Sequence, residues 1–475
     1  MKLLISIPHG GSAGNVLRSG IVARVLDAHA QATAVIVSPL SRDEAFVREF
    51  RGDRVSFEDL PPHRPAGLEA RLLALAQAAY LDSAITESVR IRRQEAAANG
   101  TIRWIRAKRL IASALAPSLA RRSTRYDLSD RLVSHAFADA LFDRHQPSLY
   151  VSSSPGLIFA EVPLLRTAAR RRVRSMAIDP SWDNFTNKLL PVRRVNRLVV
   201  WNELMRDQAV AFHGYGRDEV RVAGTPQWDL YFQPGVTDTR EAFFRRIGAD
   251  PSRRLVTLTT TPRELYSHHD HVLRVMIDAM QRGLWPAAQV LVRLHPRDHV
   301  DGYDAFQRTP GVIVEKPFRP TVKTGDGLAV DVTAQNQRHL ADTMRHSDVV
   351  VNVASTIAIE AAIFDTPVVN VSFDGETASP FEQSARRYYR FIHYQNITRH
   401  GAVRVAESPA QLVDLISGYL ADRSLDRDGR RRVVAEQCQF MDGRSGERVA
   451  QYVVDELADV TGIAPRCVES LVSSR

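Results

Sequence analysis

The 475 residues are 44% hydrophobic and 25% charged, with 63 Lys plus Arg against 54 Asp plus Glu and a formal net charge of +9. Such a composition excludes a disordered or fibrous chain, and with only Cys438 and Cys467 it also excludes a disulfide framework. The length exceeds what one hydrophobic core usually serves, so two domains of roughly 200 residues each are expected, in a reducing compartment.

From the amino end, Leu3 to Ile7 predicts a first strand rather than a signal peptide, because the apolar run is short and a glycine-rich turn follows at once. Asn15 to Ala30 predicts a helix and Thr33 to Ser38 a second strand, a β-α-β unit that implies a parallel sheet. From Gly67 to about Arg122 the spacing turns helical, an insertion that ends in Trp104, Ile105, Leu110 and Ile111 mixed with Arg103, Arg106, Lys108 and Arg109. That stretch suits packing on its own domain or contact with a lipid surface. Strands resume at Leu149 to Ser152, Val173 to Ile178, Arg197 to Trp201 and Glu219 to Val222, and Gln233 to Arg240 reads as a linker. A second series follows, with strands at Leu255 to Thr260, Gln289 to Leu294, Val312 to Glu315, Asp348 to Val353 and Val368 to Ser372, and helices at Leu265 to Arg282 and Ile357 to Phe364. The expected fold class is α/β: two Rossmann-like domains facing across a cleft. They comprise residues 1–235, with the helical insertion at about 67–122, and residues 241–475, whose last helix is free to pack back on the first domain.

Ligands of open α/β sheets bind outside the carboxyl ends of the strands, so the residues delivered there are the candidates. The first strand delivers His9, Gly10, Gly11, Ser12 and Asn15, a loop able to hold an acceptor or a phosphate on backbone amides and the next helix dipole. A tight turn without a ligand would use the same glycines. After Ile178 come Asp183, Asn184 and Lys188, of which Asp183 suits a base, Lys188 a phosphate contact, and Asp183 and Asn184 equally a cap. In the second half, Arg263 offers a guanidinium fork to a diphosphate, and Pro296 holds His295 in an extended conformation at a strand end. Ser355 and Thr356 open a helix after a buried strand and are expected to grip a phosphate, with Glu360 one turn on for a ribose diol. Simple capping by the hydroxyls is the competing reading. His268, His269 and His271 do not read as a metal site, since no second ligand pair has metal spacing.

Taken together these motifs resemble the GT-B superfamily, within it the bacterial capsule and teichoic-acid transferases that include CDP-glycerol glycerophosphotransferases and capsular Kdo transferases. The resemblance runs through Ser181 to Asn184, Gly224 to Asp229, Thr261 to Arg263, Leu294 to Pro296, Ser347-Asp348, Ser355-Thr356 and Asp442 to Arg448. It implies that His295 and Arg263 contact a donor diphosphate, that Ser355 and Thr356 hold phosphate oxygens, and that Glu360 takes the nucleotide ribose. Where glycerophosphotransferases carry tyrosine or aspartate before the paired hydroxyls this chain has Val353-Ala354, and Glu360 is similar to sugar-nucleotide transferases and UDP-GlcNAc 2-epimerases.

The expectation is a metal-independent glycosyltransferase without cofactor, moving a sugar from a nucleotide-sugar donor to a glycan or lipid-linked hydroxyl acceptor in cell-surface polysaccharide or glycolipid synthesis. Asp183 and His9 are its candidate catalytic residues. A cytoplasmic location is expected, since no run approaches the roughly 20 apolar residues that span a bilayer, and the basic surface suits peripheral contact with an anionic inner membrane face. The alternatives are alditol-phosphate transfer from a CDP-activated donor, 2-epimerisation of a nucleotide sugar, and a non-catalytic nucleic-acid or membrane binder. Nucleic acid is disfavoured because the arginine clusters lack interleaved aromatics.

Overall fold

A computed structural model of the chain describes residues 1–100, 130, 132–188, 191–324 and 330–465. The basic stretch around Arg103 to Arg109, the pair Arg121-Arg122 and Cys467 therefore lie outside the described residues. Among the described residues the first half holds seven strands, β1 (Lys2–Ser6), β2 (Thr33–Val37), β3 (Val55–Glu58), β4 (Leu149–Ser152), β5 (Arg174–Ile178), β6 (Arg197–Val200) and β7 (Val220–Val222). They pair in parallel in the order β3-β2-β1-β4-β5-β6-β7. The second half begins with β8 (Arg254–Thr259), β9 (Ala288–Arg293) and β10 (Val312–Glu315). A small antiparallel pair follows, β11 (Arg319–Pro320) and β12 (Val330–Asp331), and then β13 (Val349–Asn352), β14 (Val368–Val371) and β15 (Val403–Ala406). Its main sheet runs β10-β9-β8-β13-β14-β15, again all parallel. Helices cover both faces, which is why strands such as Leu149–Ser152 and Val349–Asn352 are buried along their whole length rather than alternating.

The opening helix differs from the expectation. Two helices, Gly10–Val16 and Ile21–Ala28, replace the single one, broken at Gly20, whose φ of 74° turns the chain left-handed. The helix begins immediately after His9, so Gly10, Gly11, Ser12 and Asn15 are helical residues and not a loop. The insertion contains helices Gly67–Ser83 and Glu87–Ala98 among the described residues. No helix among the described residues is long and apolar enough to cross a membrane.

The last helix, Ser445–Thr461, packs on the first sheet: Val449, Ala450, Val453, Val454 and Leu457 share a core with Leu3, Ile5, Val25 and Met176. Asp229 fastens its start by accepting from the amides of Ser445 (2.9 Å) and Gly446 (2.6 Å). A side chain at Gly446 would meet the Ser19 carbonyl at 2.6 Å, so glycine is required there by close approach. The Gly224 to Asp229 and Asp442 to Arg448 motifs are thus two sides of one structural joint.

Candidate active site

In the second sheet the register places Val292 beside Leu258 and Leu258 beside Val351, so β9, β8 and β13 end level with one another. Two strand spacings separate β9 from β13, about 10 Å. His295, Thr260 and the Ser355-Thr356 turn therefore share one edge.

His295 is half-buried behind Leu294, and its backbone amide donates to Thr260 Oγ1 at 2.8 Å. Its Nδ1 accepts from the Arg297 amide at 3.1 Å, which leaves the imidazole proton on Nε2. Burial, with Arg297 nearby, lowers its pKa to about 4, so a neutral ring presents an N–H donor. Arg263 is anchored by Asp298, from Nε to Oδ1 at 3.1 Å, and lies over the Tyr303 ring while its head remains 43% exposed. Asp298, fully buried, is held by the Tyr303 hydroxyl (2.7 Å) and the His299 amide (2.9 Å). His269 is not a ligand in waiting: it accepts from the Thr261 amide at 2.9 Å and fixes the turn before Arg263.

At the end of β13, Ala354 takes φ of 31°, an unfavourable conformation for a side-chain-bearing residue and a sign of a sharp strand-to-helix turn. The helix Ile357–Ile363 follows. Its amides are less bare than expected: Ser355 Oγ accepts from Ile357 N at 3.3 Å, the Ser355 carbonyl takes Ala358 N, and the hydroxyls of Tyr389 and Tyr394 lie against the amides of Ala354 and Ser355. The hydroxyl protons of Ser355 and Thr356 are what this turn can offer an anion. Glu360 is buried, and its carboxylate accepts from the Tyr231 hydroxyl at 2.6 Å, tying this helix to the first half. Burial raises its pKa to about 7. The ribose contact implied by the resemblance is thus taken, in this arrangement, by a tyrosine.

The carboxyl edge of the first sheet faces the same gap. His9 caps its helix through Nδ1, accepting from Ser12 N at 3.2 Å, so as a neutral ring it carries its proton on Nε2 and would have to leave the cap to act as a base. Ser12 receives Ser153 Oγ (3.0 Å), and Ser153 and Ser154 converge on the buried Glu161 together with Ser6. The glycines serve packing: a side chain on Gly10 would lie 2.8 Å from the Asp331 Cα, and one on Gly14 3.1 Å from Gln337. Asp331 is in turn gripped by Arg18, at 2.7 and 2.9 Å, and by Arg319 at 2.9 Å. Asn15 is buried with neither side-chain polar atom hydrogen-bonded among the described residues.

Asp183 accepts from Ser181 (2.5 Å) and pairs with Lys188 (3.4 Å). Burial alone would raise its pKa, but Lys188 and His393 outweigh it and hold the carboxyl well below the usual range. His393 comes from the helix Ile392–Thr398 of the second half, edge-on to Trp182 at 5.0 Å, and its Nδ1 is buried without a hydrogen bond among the described residues. Nothing local in the sequence pointed to it. Asn184 faces inward to Asp179, whose pKa burial raises to about 7. Lys188 and Asn187 line a cavity of about 400 Å³ with Arg92, Gly156 and Phe159. A further cluster that the sequence reading missed, His63, Glu69 and His135, has metal-type ligand atoms within 4.8 Å of one another. Its Glu69 is already paired with the buried Arg166 at 3.3 Å.

A family model described as CDP-Glycerol:Poly(glycerophosphate) glycerophosphotransferase matches residues 158–455. A lipid-A-disaccharide synthase from Syntrophotalea carbinolica is 24% identical over 253 residues, 51% of this chain, and the match spans 58% of that relative's length. Among solved structures, a putative UDP-N-acetylglucosamine 2-epimerase from Listeria monocytogenes superposes with a TM-score of 0.54 at 10% identity, covering 98% of this chain and 97% of that one. A UDP-GlcNAc 2-epimerase from Neisseria meningitidis, bound to UDP-GlcNAc, gives 0.53 at 9% identity over 96% and 100%. At such identities the likeness speaks for the fold, and that fold is GT-B.

Proposed function

The chain belongs to the CDP-glycerol:poly(glycerophosphate) glycerophosphotransferase family, and on that premise we propose that it transfers a group from a nucleotide-activated donor to a hydroxyl acceptor in cell-surface polymer synthesis. The observation that carries this is the shared edge of β9, β8 and β13, where a neutral His295 with its donor Nε2, the anchored Arg263 and the hydroxyls of Ser355 and Thr356 suit a diphosphate. Fixed donors of this kind stabilise a leaving nucleotide without a metal, and we read the reaction as metal-independent. The acceptor enters from the first half, by the cavity beside Lys188, and Asp183 takes its hydroxyl proton.

A nucleotide sugar is the first donor reading, because the Val353-Ala354 turn departs from the alditol-phosphate pattern. A CDP-alditol is the second, favoured by the family match itself. The two differ in the bond broken, so the released nucleotide separates them. The chain is incubated with UDP-GlcNAc and other nucleotide sugars, or with CDP-glycerol, each with and without a glycan or lipid-linked acceptor, and the nucleotides are resolved by chromatography. Acceptor-dependent release of a nucleoside diphosphate is expected for glycosyl transfer, and CMP for alditol-phosphate transfer. A UDP-sugar epimer formed without acceptor and without nucleotide release would overturn transfer in favour of epimerisation.

A further inference from the structure

We propose that the chain carries a second anion site, far from the cleft, that holds a phosphate-bearing polymer. A cavity of about 850 Å³ opens where β4, β5 and β6 begin, the edge of the first sheet opposite His9 and Asp183. The five residues of β5 separate the two edges by about 16 Å. Arg172, Arg174, Arg193, Arg194 and Arg197 line this cavity. Arg193 pairs with Asp130 at 2.9 Å, Arg194 with Glu219 at 3.0 Å, and Arg174 and Arg197 share the single carboxylate of Glu456 from the last helix. Among the described residues, three carboxylates thus pair with four of the five guanidiniums, and Arg172 has no acidic partner there. The ion pairs also hold four of the guanidiniums in place before any ligand arrives, which lowers the entropy lost on binding.

Arg172 supplies an independent sign. It closes the helix Val162–Arg170 in a Schellman turn, with Val173 N donating to Ala168 O (2.8 Å) and Arg172 N to Ala169 O (3.2 Å). Its φ is 57°, where glycine is favoured, yet the position carries an exposed guanidinium at the cavity wall. A structural role in the turn would be served better by glycine. The concave, arginine-lined form suits successive phosphates of a flexible chain more than the plane of a membrane. That the chain is the polymer being extended rests on the transferase reading, whereas the binding itself does not.

The test is titration calorimetry of the full chain with short-chain inorganic polyphosphate. Binding that weakens with salt is expected, undisplaced by excess UDP or CDP and unchanged in His295→Ala. Arg172→Gly, which removes the charge and relaxes the turn, should weaken binding about 10- to 100-fold without lowering the melting temperature, as expected for a charged hydrogen bond. Arg174→Gln should weaken it as well. Equal affinity in native and Arg172→Gly, absence of polyphosphate binding, or binding confined to phosphatidylglycerol vesicles would each overturn the proposal. Loss of polyphosphate binding in Arg172→Gly alongside an absence of donor turnover would instead uphold this site and count against the transferase reading.

Discussion

His295 acts through one atom. With Nδ1 occupied by the Arg297 amide, only Nε2 is available to a ligand, and a neutral N–H to a phosphate oxygen is a hydrogen bond to a charged group. Replacing His295 by Ala should raise the dissociation constant for a nucleoside diphosphate by about 10- to 100-fold, from about 1.5–3 kcal/mol, while His295→Gln retains a donor and part of the affinity. Asp183 should behave differently: Asp183→Asn is expected to lower turnover by about 100-fold or more with donor affinity unchanged, measured by kcat against donor Kd. Glu360 shows its role through pH. Its folded pKa of about 7 lies above the ordinary carboxylate value, so the neutral form is favoured in the fold; the stability this gives is complete at acid pH and is lost as pH rises through about 7. Glu360→Gln keeps an acceptor for Tyr231 and should melt higher than the native chain at pH 8 to 9, with the difference closing toward pH 5. His269, His295 and His393, each depressed to about 4, work in the other sense, losing stability as pH falls from about 6.5 toward 4.

Among the elements, the helix Gly10–Val16 is the one most constrained by a distant partner. Gly10→Ala would drive a methyl into the Asp331 backbone and should destabilise the chain by about 1–3 kcal/mol in denaturant unfolding, the range for overpacking, with no nucleotide dependence of the difference. The sequence suggested an anion loop here because glycines before a helix permit either use, and the deciding residue, Asp331, lies more than three hundred positions away. The same limit hid His393 beside Asp183 and Tyr231 beside Glu360, all pairings made across the cleft. What was legible is what composition and turn signals encode: the buried strands 149–152 and 368–371, the half-buried strand 312–315, and the order of polar groups at their carboxyl ends. β3 and β15 escaped because their apolar positions are interleaved with Ser56, Glu58 and Arg404 and are only partly covered, so no continuous apolar run marks them. The Asp229 cap shows the converse, since two motifs that read as parts of a functional constellation form a joint between the last helix and the first sheet.

At the scale of the molecule, two parallel sheets turn their carboxyl edges toward one gap, joined by Arg18 to Asp331, Glu87 to Arg390 and Glu95 to Arg387. Arg263 and the hydroxyls of Ser355 and Thr356 stand at the second edge and Asp183 at the first, an arrangement suited to holding a phosphorylated donor against a hydroxyl that must lose its proton. A chelator such as EDTA should leave turnover unchanged if those groups alone stabilise the leaving nucleotide. The decisive measurement is calorimetric titration of UDP and CDP into the native chain and into a His295→Ala, Ser355→Ala double variant that retains its native melting temperature. At least one nucleoside diphosphate should bind the native protein and lose about tenfold or more in affinity to the variant. Binding of neither, or binding indifferent to both substitutions, would contradict a donor site at the ends of β9 and β13.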